Sequence, residues 1–407
     1  MKKIKVTMRY ALLSATAVLL ALSAVSCLDN QGGNDMRIGR TVLIYIAADN
    51  DLEPFARQNL EDIKNGGLPQ YFDEGSGDVL LVYADICGET PKLMRLSSGR
   101  PGEVYEEVLM EYDQEQDSMS DSVMNAVLSY ADALFPSDYR GLVLWSHGTG
   151  WLPEGFYSNP VEDSDGGIVP MQLAEDPFAA YVKSFGSDGS SEMDIRDLAE
   201  ALPVHYSYIL FDACLMGGVE VAYELREKCD YLVASAAEVL AAGFPYEEIL
   251  EDMLDGSLSA LKSMCDKYYE YYSEDGATVA VVDTKALDGL ATACREVLDN
   301  GGRDSIQLLD MDSLQGYYRL NKHWFYDLED FVTSISPDEE RTESFRQALD
   351  AAVVYKKATD AFVLRGYVQF DIKTFSGLST YVPNPENSVL DKYYRTLAWN
   401  KAVTMVE

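Results

Sequence analysis

The sequence predicts an α/β fold: a mainly parallel central sheet, helices on both faces, and a smaller C-terminal α/β portion. Two observations predict it. Continuous apolar runs recur, such as Thr41-Val42-Leu43-Ile44-Tyr45-Ile46-Ala47-Ala48, Val79-Leu80-Leu81-Val82-Tyr83-Ala84 and Tyr208-Ile209-Leu210-Phe211. Runs without alternation suit strands that are covered on both faces. Helix-period segments fall between them, which is the order of a sheet with crossover helices.

The first run, 41–50, ends in Asp49-Asn50 and is followed by a helix over 52–64, with Leu52, Phe55, Ala56, Leu60 and Ile63 on one side. Val79 to Asp85 is the second strand. Lys92 to Leu96 and Val104 to Met110 pattern as a hairpin. A helix over 118–134 turns Val123, Val127, Leu128, Ala131 and Leu134 inward, with Ser120 placed to cap it. Gly141 to Trp145 is a strand leading into Ser146-His147-Gly148. Prolines and glycines then break the pattern from 151 to 182, a stretch without a single Lys or Arg, and 186–192 continues as linker. A short helix over 193–202 precedes the strand Tyr208 to Asp212. A turn carrying Cys214 follows, with a helix starting near Leu215 and running through Val219, Ala222, Tyr223 and Leu225. Further strands are expected at 231–235, 277–283 and 378–383. Helices are expected at 247–254, 259–273, 285–299, from 327, and 389–399.

The chain has 407 residues, of which 47% are hydrophobic, enough for one large domain or two ordinary ones. Its 68 acidic against 32 basic residues give a net charge of −36, which disfavours nucleic acid and anionic membrane surfaces. The start reads as an export signal. Lys2, Lys3, Lys5 and Arg9 precede an apolar stretch from Tyr10 to Val25, and Ser26-Cys27 follows. Ala24-Val25-Ser26-Cys27 resembles a bacterial lipobox, although Ala24 stands where Leu is usual. Residues 1–26 are therefore expected to be removed and Cys27 lipidated, with 27–39 as a tether. This places the chain on the outer membrane or cell surface of a Gram-negative bacterium, attached by its N-terminal lipid. Residues 40–285 are expected to form the core, with 151–192 as an inter-strand linker and 286–407 packed on it. A monomer is expected.

A thiol nucleophile needs a base, and imidazole is the usual one. Only three histidines occur. His205 precedes a strand and His323 lies in a polar stretch. His147 instead ends an apolar strand and is followed by a glycine, where a backbone N–H can reach an oxyanion. Cys214 sits in the turn directly after the next such strand. At a strand end and helix start, backbone N–H groups and the helix dipole would favour its thiolate. A His and a Cys at the carboxyl ends of two parallel strands suit a Cys/His pair. The other cysteines, Cys87, Cys229, Cys265 and Cys294, match no zinc spacing and suggest no assigned disulfide.

Ser146-His147-Gly148-Thr149-Gly150-Trp151 and Asp212-Ala213-Cys214-Leu215-Met216-Gly217 resemble the His and Cys motifs of the clostripain family of cysteine peptidases. Tyr45 to Leu52, Gly243-Phe244-Pro245-Tyr246 and Gly377 to Pro383 resemble further segments of that family. The resemblance spans roughly 40 to 400 and implies a caspase-like (caspase/hemoglobinase-type) sheet. It implies a cysteine endopeptidase with Cys214 as nucleophile, His147 as acid/base, and the N–H groups of Gly148 and Cys214 as oxyanion hole. Asp212 would reach the S1 pocket and meet a basic P1 side chain; alternatively it caps the following helix. The sequence departs from the family at Ala242, where a second S1 acid is expected, and Glu238 is the candidate to compensate. The resemblance also suggests self-cleavage, for which Lys183-Ser184 is the first basic bond between the two motifs. No cofactor is required by this reading. Calcium activates some relatives, and Asp163, Asp165, Glu175, Asp176 and Asp188 could supply oxygens, although their spacing fits no EF-hand loop. Two other readings remain: a non-catalytic surface protein that binds partners on the same scaffold, and a thiol amidase or transpeptidase.

Overall fold

Each apolar run divides its side chains between two cores. In β1 (Ile38–Ala48), Leu43, Tyr45 and Ala47 enter one cluster, while Val42, Ile44 and Ile46 enter the other. This is why the sequence shows no polar face: both sides of the sheet are covered. The fold is that of a computed structural model describing residues 38–71, 77–100, 103–113, 116–154, 156, 191–318, 323–364, 366–383 and 388–407.

From β1 the chain runs through α1 (Glu53–Asn65), β2 (Gly77–Ile86), β3 (Lys92–Ser98), β4 (Val104–Glu111), α2 (Asp121–Leu134) and β5 (Arg140–Trp145). Next come α3 (Ile195–Ala201), β6 (Tyr206–Asp212), α4 (Val219–Glu224), β7 (Cys229–Ala234), α5 (Tyr246–Asp255), α6 (Leu258–Tyr271), β8 (Thr278–Asp283) and α7 (Leu287–Val297). The C-terminal part holds β9 (Tyr326–Asp327), α8 (Leu328–Ile335), α9 (Glu339–Ala352), β10 (Val353–Ala358), the hairpin β11 (Ala361–Leu364) and β12 (Tyr367–Asp371), β13 (Ser379–Thr380), α10 (Ser388–Tyr394) and α11 (Ala398–Val403).

The nine-stranded sheet has the order β10-β8-β7-β6-β5-β1-β2-β3-β4. Its centre, β7-β6-β5-β1-β2, is parallel, and both flanks are antiparallel. Helices α1, α5 and α6 cover the face of Ile44 and Leu210. The other face, with Tyr45 and Phe211, carries α2, α3, α4, α7 and most of the C-terminal elements. The mainly parallel sheet with helices on both faces is thus as the sequence predicts.

Three local expectations change. The helix after Cys214 starts at Val219, not near Leu215, because Leu215 adopts φ 62° and Gly218 takes the N-cap position. Ser120 stands at the N-cap of α2, but its hydroxyl pairs with Ser122 and caps no backbone amide. The late strand at 378–383 shrinks to the two residues of β13. Gly377 (φ 97°) precedes them, and they are shared between β9 and the turn at Gly217 and Gly218. Strand β10 and the β11–β12 hairpin were not expected, since β10 and β12 mix apolar with charged residues and β11 is a run of only four.

The C-terminal segment is clasped to the sheet by a buried carboxyl. Glu220 Oε1, on α4, accepts from Thr380 Oγ1 (2.8 Å), the Tyr381 amide (2.9 Å) and Tyr394 Oη (2.7 Å). Burial pushes the Glu220 carboxyl above the usual range, against the pull of these donors. A native value raised above the ordinary 4.5 means that the folded state binds the proton more tightly than the unfolded chain. The stability this gives is present at low pH and lost as pH rises through the raised native value. Glu220→Gln keeps the acceptor oxygen and removes the charge. Measured by chemical denaturation, the parent should lose stability relative to Glu220→Gln as pH rises through that window, the titrations the two share cancelling in the difference. Glu220→Ala, which strands three donors, should cost about 1–3 kcal/mol or more at any pH.

Candidate active site

Strand β1 has β2 on one side and β5 on the other, so the chain reverses its direction of travel across the sheet between β1 and β5. Such switch points open a crevice at the carboxyl ends of the strands. The ends of β1, β5, β6 and β7 meet there.

Parallel pairing of β5 with β6 finishes with Trp145 opposite Asp212. His147 and Cys214 each lie two residues further on, so the two motifs emerge side by side. Ser146 continues the pairing through its amide to the Asp212 carbonyl, and its hydroxyl ties β5 to the Ala47 carbonyl of β1 (2.8 Å). His147 is 1% exposed, and its Nε2 lies 2.8 Å from Asp51 Oδ1, in the turn after β1. Among the described residues, Nδ1 has no hydrogen-bond partner.

Gly148 is fixed by close approach. A Cβ there would stand 2.2 Å from the Cys214 carbonyl oxygen and 2.9 Å from the Cys214 nitrogen. The Gly148 and Cys214 backbones are therefore in contact. Gly150 (φ 61°) and Gly217 make the same kind of approach, to the Leu215 carbonyl and to the Ser235–Ala236 peptide. The His, Cys and β7 loops interlock through backbone, with little room for side chains.

The Cys214 thiol lies against the loop after β7. Val239 donates its amide to Sγ (3.3 Å), and Sγ lies 3.4 Å from the Val239 carbonyl. Helix α4 starts only at Val219, five residues past Cys214, and it is the amide of Val239 that donates to the sulfur. The Leu215 amide donates to the Ala237 carbonyl and holds this turn on the same loop. The thiols of Cys229, Cys265 and Cys294 are all buried, and burial pushes each of them up, Cys294 to about 12. Those three are packing residues.

Asp212 turns to the opposite side from Phe211 and caps no helix. Its Oδ2 accepts from the Phe244 amide (3.1 Å) and Tyr246 Oη (2.8 Å), and Oδ1 has no hydrogen bond among the described residues. Burial pushes the carboxyl up to about 6, and the two donors oppose that. Gly243 (φ 71°) allows the loop to close over it, since a Cβ would fall 2.6 Å from Oδ2. Asn59, from α1, completes this layer: it accepts from Trp145 Nε1 (2.9 Å) and donates to the Ala242 carbonyl (2.9 Å). Glu238 is buried next to Val239 in the same loop. His205 is exposed and bonds the Glu227 carbonyl and Asp230; His323 lies against the Tyr318 ring at a tilt.

Sequence reasoning missed Asp51, Asn59 and Val239 as site residues. The available signal for Asp51 was an acidic turn ending a strand at the carboxyl edge. Cys27, Lys183, Ser184 and the five acids considered for calcium lie outside the described residues. No helix among the described residues is long and apolar enough to cross a membrane.

The model of the clostripain family matches residues 44–163 and 175–406, which contain both motifs and every strand of the sheet except the first residues of β1. The chain belongs to the clostripain family. It is a cysteine-type peptidase by that membership. An inactive zymogen protease from Parabacteroides distasonis is 34% identical, with 90% of this chain and 99% of that one covered at a TM-score of 0.75. A secreted cysteine protease from Bacteroides thetaiotaomicron, solved with an irreversible peptide inhibitor, is 32% identical with the same coverage and a TM-score of 0.74. Clostripain of Hathewaya histolytica is 24% identical in an alignment of 241 positions that covers 53% of this chain and 42% of that protein. The match thus spans less than half the length of that curated relative.

Gly148→Ala tests the backbone contact. The methyl group cannot enter without moving Cys214, so kcat/KM should fall by about 100-fold or more, the scale of losing one oxyanion donor. The melting temperature of the purified variant, measured in parallel, reports how much of the loss is folding.

Proposed function

We propose that this chain is an exported, lipid-anchored cysteine endopeptidase in which Cys214 and His147 act as a dyad. The observation that carries the proposal is the β5–β6 register, which delivers His147 beside Cys214 with Gly148 closed against the nucleophile's backbone. In the first half-reaction, Cys214 Sγ attacks the scissile carbonyl carbon and its proton passes to the His147 ring. The carbonyl oxygen takes the electron pair and is held by the Gly148 and Cys214 amides. As the C–N bond breaks, the ring gives that proton to the leaving amine and an acyl-thioester remains. Water then attacks the thioester, yields a proton to the ring, and the C–S bond breaks with the proton returning to sulfur. Peptides and proteins are the substrates of this reading. The N-terminal lipid on Cys27 supplies the anchor, and cleavage at Lys183-Ser184 is its processing step.

Within this reading, Asp212 selects a basic P1 side chain. Its Oδ2 is occupied by two donors, and Oδ1 remains to meet an ammonium or guanidinium group. Ala242 contributes no second charge, and Glu238, buried in the same loop, is the residue that would compensate.

The test is hydrolysis of a positional library of fluorogenic peptides by the full chain, with Cys214→Ala in parallel. Cleavage that disappears in Cys214→Ala supports the nucleophile; cleavage that survives it refutes the proposal. The P1 assignment is read from the ratio of kcat/KM for Lys against norleucine at P1, in which the shared His and Cys titrations cancel. Below about pH 6 Asp212 is neutral and above it charged. The ratio should therefore rise through that pH by about tenfold or more. Asp212→Asn should leave it low and flat. A flat ratio in the parent removes Asp212 from P1 recognition and leaves the peptidase standing.

A further inference from the structure

We propose that Asp51 is a positioning residue for His147, fixing the ring so that Nδ1, and not Nε2, carries the proton between Cys214 and the leaving amine. This rests on the dyad reading above and adds a residue and an atom to it. The Nε2–Oδ1 distance of 2.8 Å is that of a strong hydrogen bond. An ionised carboxylate can only accept, so Nε2 bears the hydrogen. In the neutral imidazole the lone pair then sits on Nδ1, the nitrogen left without a partner among the described residues. Asp51 thus selects both the tautomer and the working atom.

The carboxylate is held where this requires it. Asn50 Oδ1 accepts from the Leu52 amide (2.8 Å), the Asn50 carbonyl accepts from the Glu53 amide (3.2 Å), and Asn50 Nδ2 donates to the Ala47 carbonyl (3.3 Å). These bonds lock the turn between β1 and α1. The Ser146 hydroxyl binds the same Ala47 carbonyl, so the turn carrying Asp51 and the strand end carrying His147 share one anchor. The ring is buried and the Asp51 side chain is 37% exposed. Water competes for the carboxylate, and the effect of removing it should be smaller than for a fully buried orienting acid. When the ring takes the thiol proton, Asp51 faces the imidazolium and stabilises it through Nε2–H.

The test uses the full chain labelled with nitrogen-15 histidine, together with Asp51→Ala, Asp51→Asn, His147→Ala and Cys214→Ala. His147→Ala identifies the His147 resonances among the three histidines. The neutral ring of the parent should show the Nε2–H tautomer. Asp51→Ala should lower kcat by about 10- to 100-fold with KM changed less than about twofold, and should mix the tautomers. Asp51→Asn, whose amide oxygen still accepts from Nε2–H, should restore the tautomer and part of kcat. An Nδ1–H tautomer of His147 in the parent overturns the proposal. Asp51→Ala within about twofold of the parent kcat also overturns it, while inactive His147→Ala and Cys214→Ala keep the dyad. Full activity in His147→Ala overturns both.

Discussion

Parallel pairing of β5 with β6 ends at Trp145 opposite Asp212, and the positions of the reactive groups are counted from that pair. Two residues further along both chains stand His147 and Cys214. The strands are about 4.8 Å apart in any sheet, so their continuations can stay adjacent only if the residues between them are small. Gly148 meets this limit against the Cys214 backbone, Gly150 against Leu215, and Gly217 against the loop after β7. The Gly-rich composition after each strand follows from this crowding. Leu215, with φ 62°, is the one residue of the turn that takes the left-handed conformation without being glycine. Such a residue costs about 1–3 kcal/mol and persists only where its surroundings determine it.

The same pair explains the second layer of the site. Trp145 and Asp212 project to the same face, and both end on polar partners. Trp145 reaches Asn59, and Asp212 reaches Phe244 and Tyr246. Asn59 closes the circuit through the Ala242 carbonyl. A carboxyl in this position is under opposing influences: burial disfavours its charge, and two donors favour it. The balance leaves it raised but still within reach of ionisation near neutral pH. A cationic side chain entering beside Oδ1 would add the attraction that completes ionisation, so ligand and charge would assist each other.

The β-strands of the sheet centre were legible because burial on both faces removes alternation and leaves apolar runs. Both motif residues were legible because they follow such runs directly. Asp51 was not, since its contact with His147 depends on β1 lying next to β5, and strand order is not written in either run. Asn59 was hidden for a related reason: on the amphipathic face of α1 it reads as a polar interruption, and only the packed structure shows it buried between Trp145 and Ala242. The start of α4 was misplaced because helix-forming residues continue through Leu215 and Met216. There the bond from the Leu215 amide to Ala237 outweighed local propensity. Strand β10 escaped because Lys356 and Lys357 stand on an edge strand that is only half covered.

The strained turn at Leu215 is supported from behind by the C-terminal segment. The Ser379 amide donates to the Gly217 carbonyl, extending the turn into β13. Glu220, just beyond the turn, holds Thr380, Tyr381 and Tyr394. On the His side, Trp151 packs on Phe325, Tyr381 and Tyr394. Tyr381 and Tyr394 therefore touch the continuations of both motifs at once, one through Trp151 and the other through Glu220. Each tyrosine therefore ties the two loops to one another. The residues beyond β8 thus brace the loops that follow β5 and β6 at the spacing that the strand register sets.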